Sequence, residues 1–215
     1  MRRLLHNKVM NWSRLPRWWL VAVLCAVAAH AQVIEFESGG LKYQTLTKAG
    51  VTVMFAHLPA NLRDYAILQV AISNGSEMVQ SVRPEDFIIQ RGEDSGLRAT
   101  GAEAVVTGFL TKAGRNDVIK LVTAYEIGLY GMERFHSPSG YEQRRQAALA
   151  EVSSAKLKAA AAASAIVLIP TRLRPGQSID GAVFFRTVAK SLGPAKLRAK
   201  VGQNDFEFKI EAATP

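Results

Sequence analysis

Cysteine and histidine are scarce in this 215-residue chain: it has one cysteine, Cys25, and four histidines. Acidic residues are missing altogether from positions 1–31, where Arg2, Arg3, Lys8, Arg14 and Arg17 stand. No apolar run reaches the roughly 20 residues that a membrane-spanning helix requires. The glycine fingerprints of nucleotide-binding loops and the G-x-S-x-G nucleophile elbow are also lacking, so neither chemistry has a residue basis. Charge excludes a further class. The formal balance of +9 falls to +4 beyond residue 31, where 22 basic residues face 18 acidic ones. A balance so mild does not point to nucleic acid.

What is present begins with an export signal. The basic stretch Met1–Arg17 precedes an apolar run of about 12 residues, Trp18–Ala29, and Ala29-His30-Ala31 offers small residues at −3 and −1 for cleavage before Gln32. Residues 1–31 therefore read as a signal peptide. A lipid anchor on Cys25 is disfavoured because Leu24 precedes it. Cleavage would leave His57 and His136 as the remaining histidines and no cysteine, which excludes a thiol nucleophile, a thiolate zinc site and a disulfide. The expected location is periplasmic or extracellular, with no membrane span after cleavage.

Residues 32–215 read as one domain with an insertion. Strand signals fill both ends: Thr52–Ala56, Tyr65–Ile72 and Phe87–Gln90, then Ile166–Leu173, Gly181–Thr187, Lys196–Val201 and Phe206–Ile210. Between them the period becomes helical. Thr100-Gly-Ala-Glu103 has the form of a capping box for a helix to about Lys112. A second helix, capped by Asn116 or Asp117, carries Val118, Leu121, Val122, Tyr125, Leu129 and Met132 at helical spacing. Ser139-Gly-Tyr-Glu142 predicts a third and longest helix, from Gly140 to about Ala165. Along it Ala148, Val152, Ala155, Ala159, Ala162 and Ile166 form a seam of small side chains at alternating spacings of four and three. That seam packs either on the preceding helix or on another subunit or protein partner.

The run Leu173-Arg174-Pro175-Gly176-Gln177-Ser178-Ile179-Asp180-Gly181-Ala182-Val183-Phe184-Phe185 resembles the L-x-P-G-x-S-x-x-G-x-V-x-F segment of immunoglobulin-like domains in uncharacterised secreted bacterial proteins. Leu68–Asn74 and Val82-Arg83-Pro84-Glu85-Asp86-Phe87 fit the same pattern. The resemblance covers roughly residues 41–98 and 166–210. It implies an α+β chain: an antiparallel immunoglobulin-like β-sandwich with an α-helical insertion at about 100–165. It also implies that the proline-glycine turn leads into a strand packed on the asparagine-ended one. Pro175 and Gly176 suit a type II turn, and Gly181 within a strand suggests a bulge or close backbone approach.

No catalytic set, cofactor site or metal-ligand set emerges. Met132 and His136 are four apart, but Ser137-Pro138 ends a helix there, which argues against a metal pair. The expected function is therefore non-enzymatic: an exported binding or assembly module of the bacterial envelope, presenting its helical insertion to a protein partner or a second copy. The candidate surface comprises Tyr130, His136, Tyr141, Arg144 and Arg145 with the seam residues Ala148, Val152, Ala155, Ala159 and Ala162. The alternative is an envelope hydrolase or ligand-binding protein, with a pocket between insertion and sandwich and Tyr130, His136 and Tyr141 near its mouth.

Overall fold

Tyr65–Ile72 alternates poorly because both of its faces are covered. A computed structural model of the chain describes residues 32–59, 62, 64–92, 96–132, 141–149, 154–187 and 193–211. In it β1 (Ile34–Ser38), β2 (Leu41–Lys48), β3 (Val51–His57) and β4 (Tyr65–Asn74) form an antiparallel meander, completed by β9 (Ser178–Arg186) beside β4. A second antiparallel sheet has the order β11-β10-β6-β7, from β6 (Phe87–Gln90), β7 (Leu97–Arg98), β10 (Ala195–Val201) and β11 (Asn204–Ile210). β5 (Gln80–Val82) pairs with β8 (Thr171–Leu173) as a short ribbon. The chain is thus α+β with antiparallel sheets.

Period two sorts the five-stranded sheet's side chains into two cores. Val53, Phe55, Leu68, Val70, Val183 and Phe185 face the second sheet and meet Leu197, Phe206 and Phe208. On the opposite face Tyr43, Met54, Tyr65, Ile67 and Phe184 meet helices. Those helices are α1 (Ala102–Lys112), α2 (Arg115–Gly131), α3 (Tyr141–Leu149) and α4 (Ala155–Ile166), all inserted between β7 and β8.

Asn74 ties the β segments at one end. Its amide donates to the carbonyls of Met78 and Leu173, and its backbone exchanges bonds with Gly176 and Gln177. Gly176 has φ +76° and Gln177 N–H donates to Arg174 O, which makes the type II turn the sequence predicts. The turn delivers β9 onto β4, with Ser178 opposite Ser73.

The helical segment departs from expectation in three ways. The 140–165 helix is two helices, α3 and α4. Arg144, near the start of α3, donates to Ala165 O near the end of α4. One straight helix would hold those residues about 30 Å apart, so the chain folds back on itself. Ser154 is the break: its hydroxyl accepts the Leu157 N–H and caps α4. Secondly, the strand placed at Ile166–Leu173 is confined to Thr171–Leu173, and Ile166 closes α4. Thirdly, the caps differ. Thr100 bridges to Phe184 instead of capping α1, and α2 starts at Arg115, where Asp117 receives the Gly114 N–H from the third helical position. Ser139 lies outside the described residues.

α4 packs against α1, α2 and α3. A helix covered on so many sides must be apolar around most of its circumference. Ala159, Ala160, Ala162, Ala163, Ala165 and Ile166 are all buried. Small side chains let the neighbouring helices approach closely, and dispersion supplies the attraction. Two exits anchor the layer to β9: Thr100 N–H donates to Phe184 O where α1 begins, and Leu168 N–H to Ala182 O where α4 has ended.

Candidate functional site

A polar grouping links α2 to β9 and to α3, and α3 to the end of α4. Asp180 shares the helix-facing side of β9 with Ala182 and Phe184, as alternation requires, and is only 5% exposed. Tyr125 of α2 donates to Asp180 Oδ2 at 2.6 Å. Tyr141, the first residue of α3, lies against Tyr125 with ring centroids 5.0 Å apart. Its hydroxyl points to Glu126 Oε1 at 3.4 Å, and Arg145 Nη1 stands 3.3 Å from the same oxygen. Arg144 places a cation on the carbonyl end of α4, where the helix dipole favours one.

Of the residues predicted from sequence, Tyr141, Arg144 and Arg145 come together here. Ala159 and Ala162 are buried within the helical layer, Ala148 is half-buried and Ala155 is exposed. The seam therefore does not lie on one helix face: its described members are divided between α3 and α4. His136, Val152 and the Tyr130 side chain lie outside the described residues. Sequence reasoning missed Asp180, Glu126 and the polar role of Tyr125. For Asp180 a signal existed, because strand parity groups it with Ala182 and Phe184.

Both tyrosines are held protonated. Burial, then the Asp180 carboxylate, pushes the Tyr125 hydroxyl well above its ordinary range. Burial and Glu126 raise Tyr141 to about 12. A tyrosine whose folded pKa exceeds its unfolded value of 10 stabilises the fold below pH 10, and that contribution disappears as pH rises towards 12. Stability should therefore fall steeply between pH 10 and 12. Tyr141→Phe should make the decline shallower in urea titrations at pH 9, 10.5 and 11.5; an unchanged slope would place Tyr141 outside this buried cluster.

Gln69, fully buried on β4, faces the same layer, between Ala56 and Ala182 on the flanking strands. Neither Gln69 Oε1 nor Nε2 has a hydrogen-bond partner. The amide fits because Gly128 of α2 lies over it; any β-carbon there would collide with Oε1. Leaving a buried amide unpaired costs about 1–3 kcal/mol. Gln69→Met, of similar length, should raise the denaturation midpoint by an amount equivalent to about 1 kcal/mol. A lower midpoint would mean that the amide is satisfied in solution.

His57, the last residue of β3, stands opposite Leu68. Its Nε2 is unpartnered, and burial lowers its pKa, favouring the neutral ring.

The sheet edges differ in how they are closed. On β11, the Lys209 and Asp205 carbonyls accept from Gln44 Nε2 and Lys48 Nζ of β2. On β9, the outer carbonyls of Ala182 and Phe184 are taken by Leu168 and Thr100. β7 has two residues. β1 is the five-residue edge of its sheet, with Ile34 61% and Phe36 38% exposed.

No family model matches the chain, and no curated protein matches it. Among solved structures, that of the yjhA protein from Bacillus subtilis is similar at a TM-score of 0.35 and 10% identity, over 83% of this chain and 96% of that one. A likeness at that level fixes neither fold family nor activity.

Proposed function

We propose that this chain is an exported, non-enzymatic binding or assembly module of the bacterial envelope, built as an immunoglobulin-like sandwich with a helical insertion. The observation carrying this reading is how the candidate site spends its polar groups. Tyr125 is engaged by Asp180, Arg144 by the end of α4, and Tyr141 and Arg145 Nη1 by Glu126, while Arg145 Nε and the Gln69 amide have no partner. These contacts join helices to one another and to the sheet. The two-sheet stacking and the Pro175-Gly176 turn onto Asn74 support the immunoglobulin-like assignment, and the basic-then-apolar N-terminus with Ala29-His30-Ala31 supports export.

Expression of the affinity-tagged full chain in a bacterium, followed by fractionation and intact-mass measurement, tests the reading. The expected product is in the envelope fraction, begins at Gln32 and runs in native electrophoresis as a complex larger than one chain. A cytoplasmic, uncleaved monomer would overturn it.

A further inference from the structure

We propose that β1 is a docking edge for an extended segment of another envelope protein in which basic and apolar residues alternate. The inference rests on the binding-module reading and names the surface and the partner's chemistry. The turn Gly39-Gly40 has both φ values positive, +59° and +76°, and joins β1 to β2 with Ser38 opposite Leu41. Such two-residue turns close on a hydrogen-bonded pair. Bonded pairs then alternate along the ladder, falling at Ser38, Phe36 and Ile34. The N–H and C=O groups of Glu35 and Glu37 therefore point away from β2, along an edge on which no other described strand lies.

The side chains define what would fit. A strand added there places a residue opposite each β1 residue, on the same face of the sheet. On the β2 side Gln44 Nε2 donates to Glu35 Oε1 at 2.7 Å and Lys42 stands opposite Glu37. On the other side a basic side chain would give each exposed carboxylate a second partner, of opposite charge. Opposite Phe36, which stacks on Tyr43 at 5.0 Å, an apolar side chain covers exposed surface. A second copy is the poorer partner: antiparallel β1–β1 pairing about Phe36 would set Glu35 against Glu37 twice on one face. The same charges that discourage self-association select a basic partner.

The test uses the protein purified from the envelope after expression of the full chain. The probes are fluorescent peptides Lys-Val-Arg-Val-Lys-Val and Glu-Val-Glu-Val-Glu-Val, read by anisotropy. Wild type should bind the basic peptide saturably and at least tenfold more tightly than the acidic one. The double variant Glu35→Lys, Glu37→Lys should invert that preference. Glu37→Pro removes an N–H directed outward, not one of the β1–β2 bonds, and should weaken binding at least tenfold while circular dichroism is retained. Glu37→Gln, losing one charge alone, should weaken it less. No saturable binding by wild type, an unchanged preference after charge reversal, or wild-type affinity in Glu37→Pro would each overturn the inference. A native-gel complex that survives in the same variants would leave the binding-module reading standing while the edge fails; absence of any complex would remove the reading itself.

Discussion

Phe184→Ala should destabilise the protein by about 3–5 kcal/mol, the range for truncating a fully buried phenylalanine. Phe184 is completely buried on the helix-facing side of β9. Its ring meets Tyr65 edge-on at 5.8 Å and Phe109 of α1 at 6.1 Å. Tyr65 and Phe109 in turn stack 6.2 Å apart, so the three rings share one contact region between sheet and helices. Removing the middle ring forfeits transfer energy and two aromatic contacts, and leaves a cavity. The neighbours have little freedom to collapse into it, because the Phe184 carbonyl also fixes the start of α1 through Thr100. Urea unfolding monitored by circular dichroism would report the change. A loss below about 1 kcal/mol would show that the helical layer is loosely seated on the sheet.

Gly181→Ala, one methyl group, should cost about 3 kcal/mol. A β-carbon at Gly181 would stand 2.7 Å from Leu168 Cα and 2.9 Å from Leu168 N. Those are backbone atoms, so no side-chain rotation relieves the clash. Either β9 or the segment leaving α4 must move, and the Leu168–Ala182 bond of 2.8 Å is the first contact at risk. Overpacking in cores costs about 1–3 kcal/mol when side chains can yield; here the upper end is expected. In native-state hydrogen exchange, the amides of Leu168 and Thr100 should lose protection before those of β3. Equal protection in wild type and variant would mean that the two backbones separate without cost.

Both positions illustrate how far the sequence could be read. Gly181 stood out within an apolar strand, and the expectation of a close backbone approach is met by Leu168. The period change after residue 100 revealed an insertion, since helical spacing needs no knowledge of neighbours. Strands from Thr52 onward were legible where turns or proline bounded them. The strands β1 and β2 carry only a short period-two signal, Ile34 and Phe36 alternating with Glu35 and Glu37, and Leu41 and Tyr43 standing two apart. Burial does not reinforce it in β1, which is exposed along most of its length.

The remaining features depend on contacts that local pattern cannot encode. Alanine-rich sequence from 140 to 165 satisfies helical propensity throughout, so nothing but the serine pair at 153 and 154 marked a break. Arg144 reaching the end of α4 is a pairing 21 residues apart in sequence. Tyr125 read as core because it lay at apolar spacing, yet its hydroxyl required an acceptor supplied 55 residues later.

The chain by itself determined most of its element types, strands at both ends and helices between them, and its major turn. It did so because backbone dihedral preferences and side-chain periodicity act over a few residues. Tertiary structure alone decided that Ala159 and Ala162 turn inward, that Asp180 meets Tyr125, and that β1 stands at the edge of its sheet among the described residues. Those outcomes depend on which surfaces meet, and burial becomes defined when all the layers are assembled.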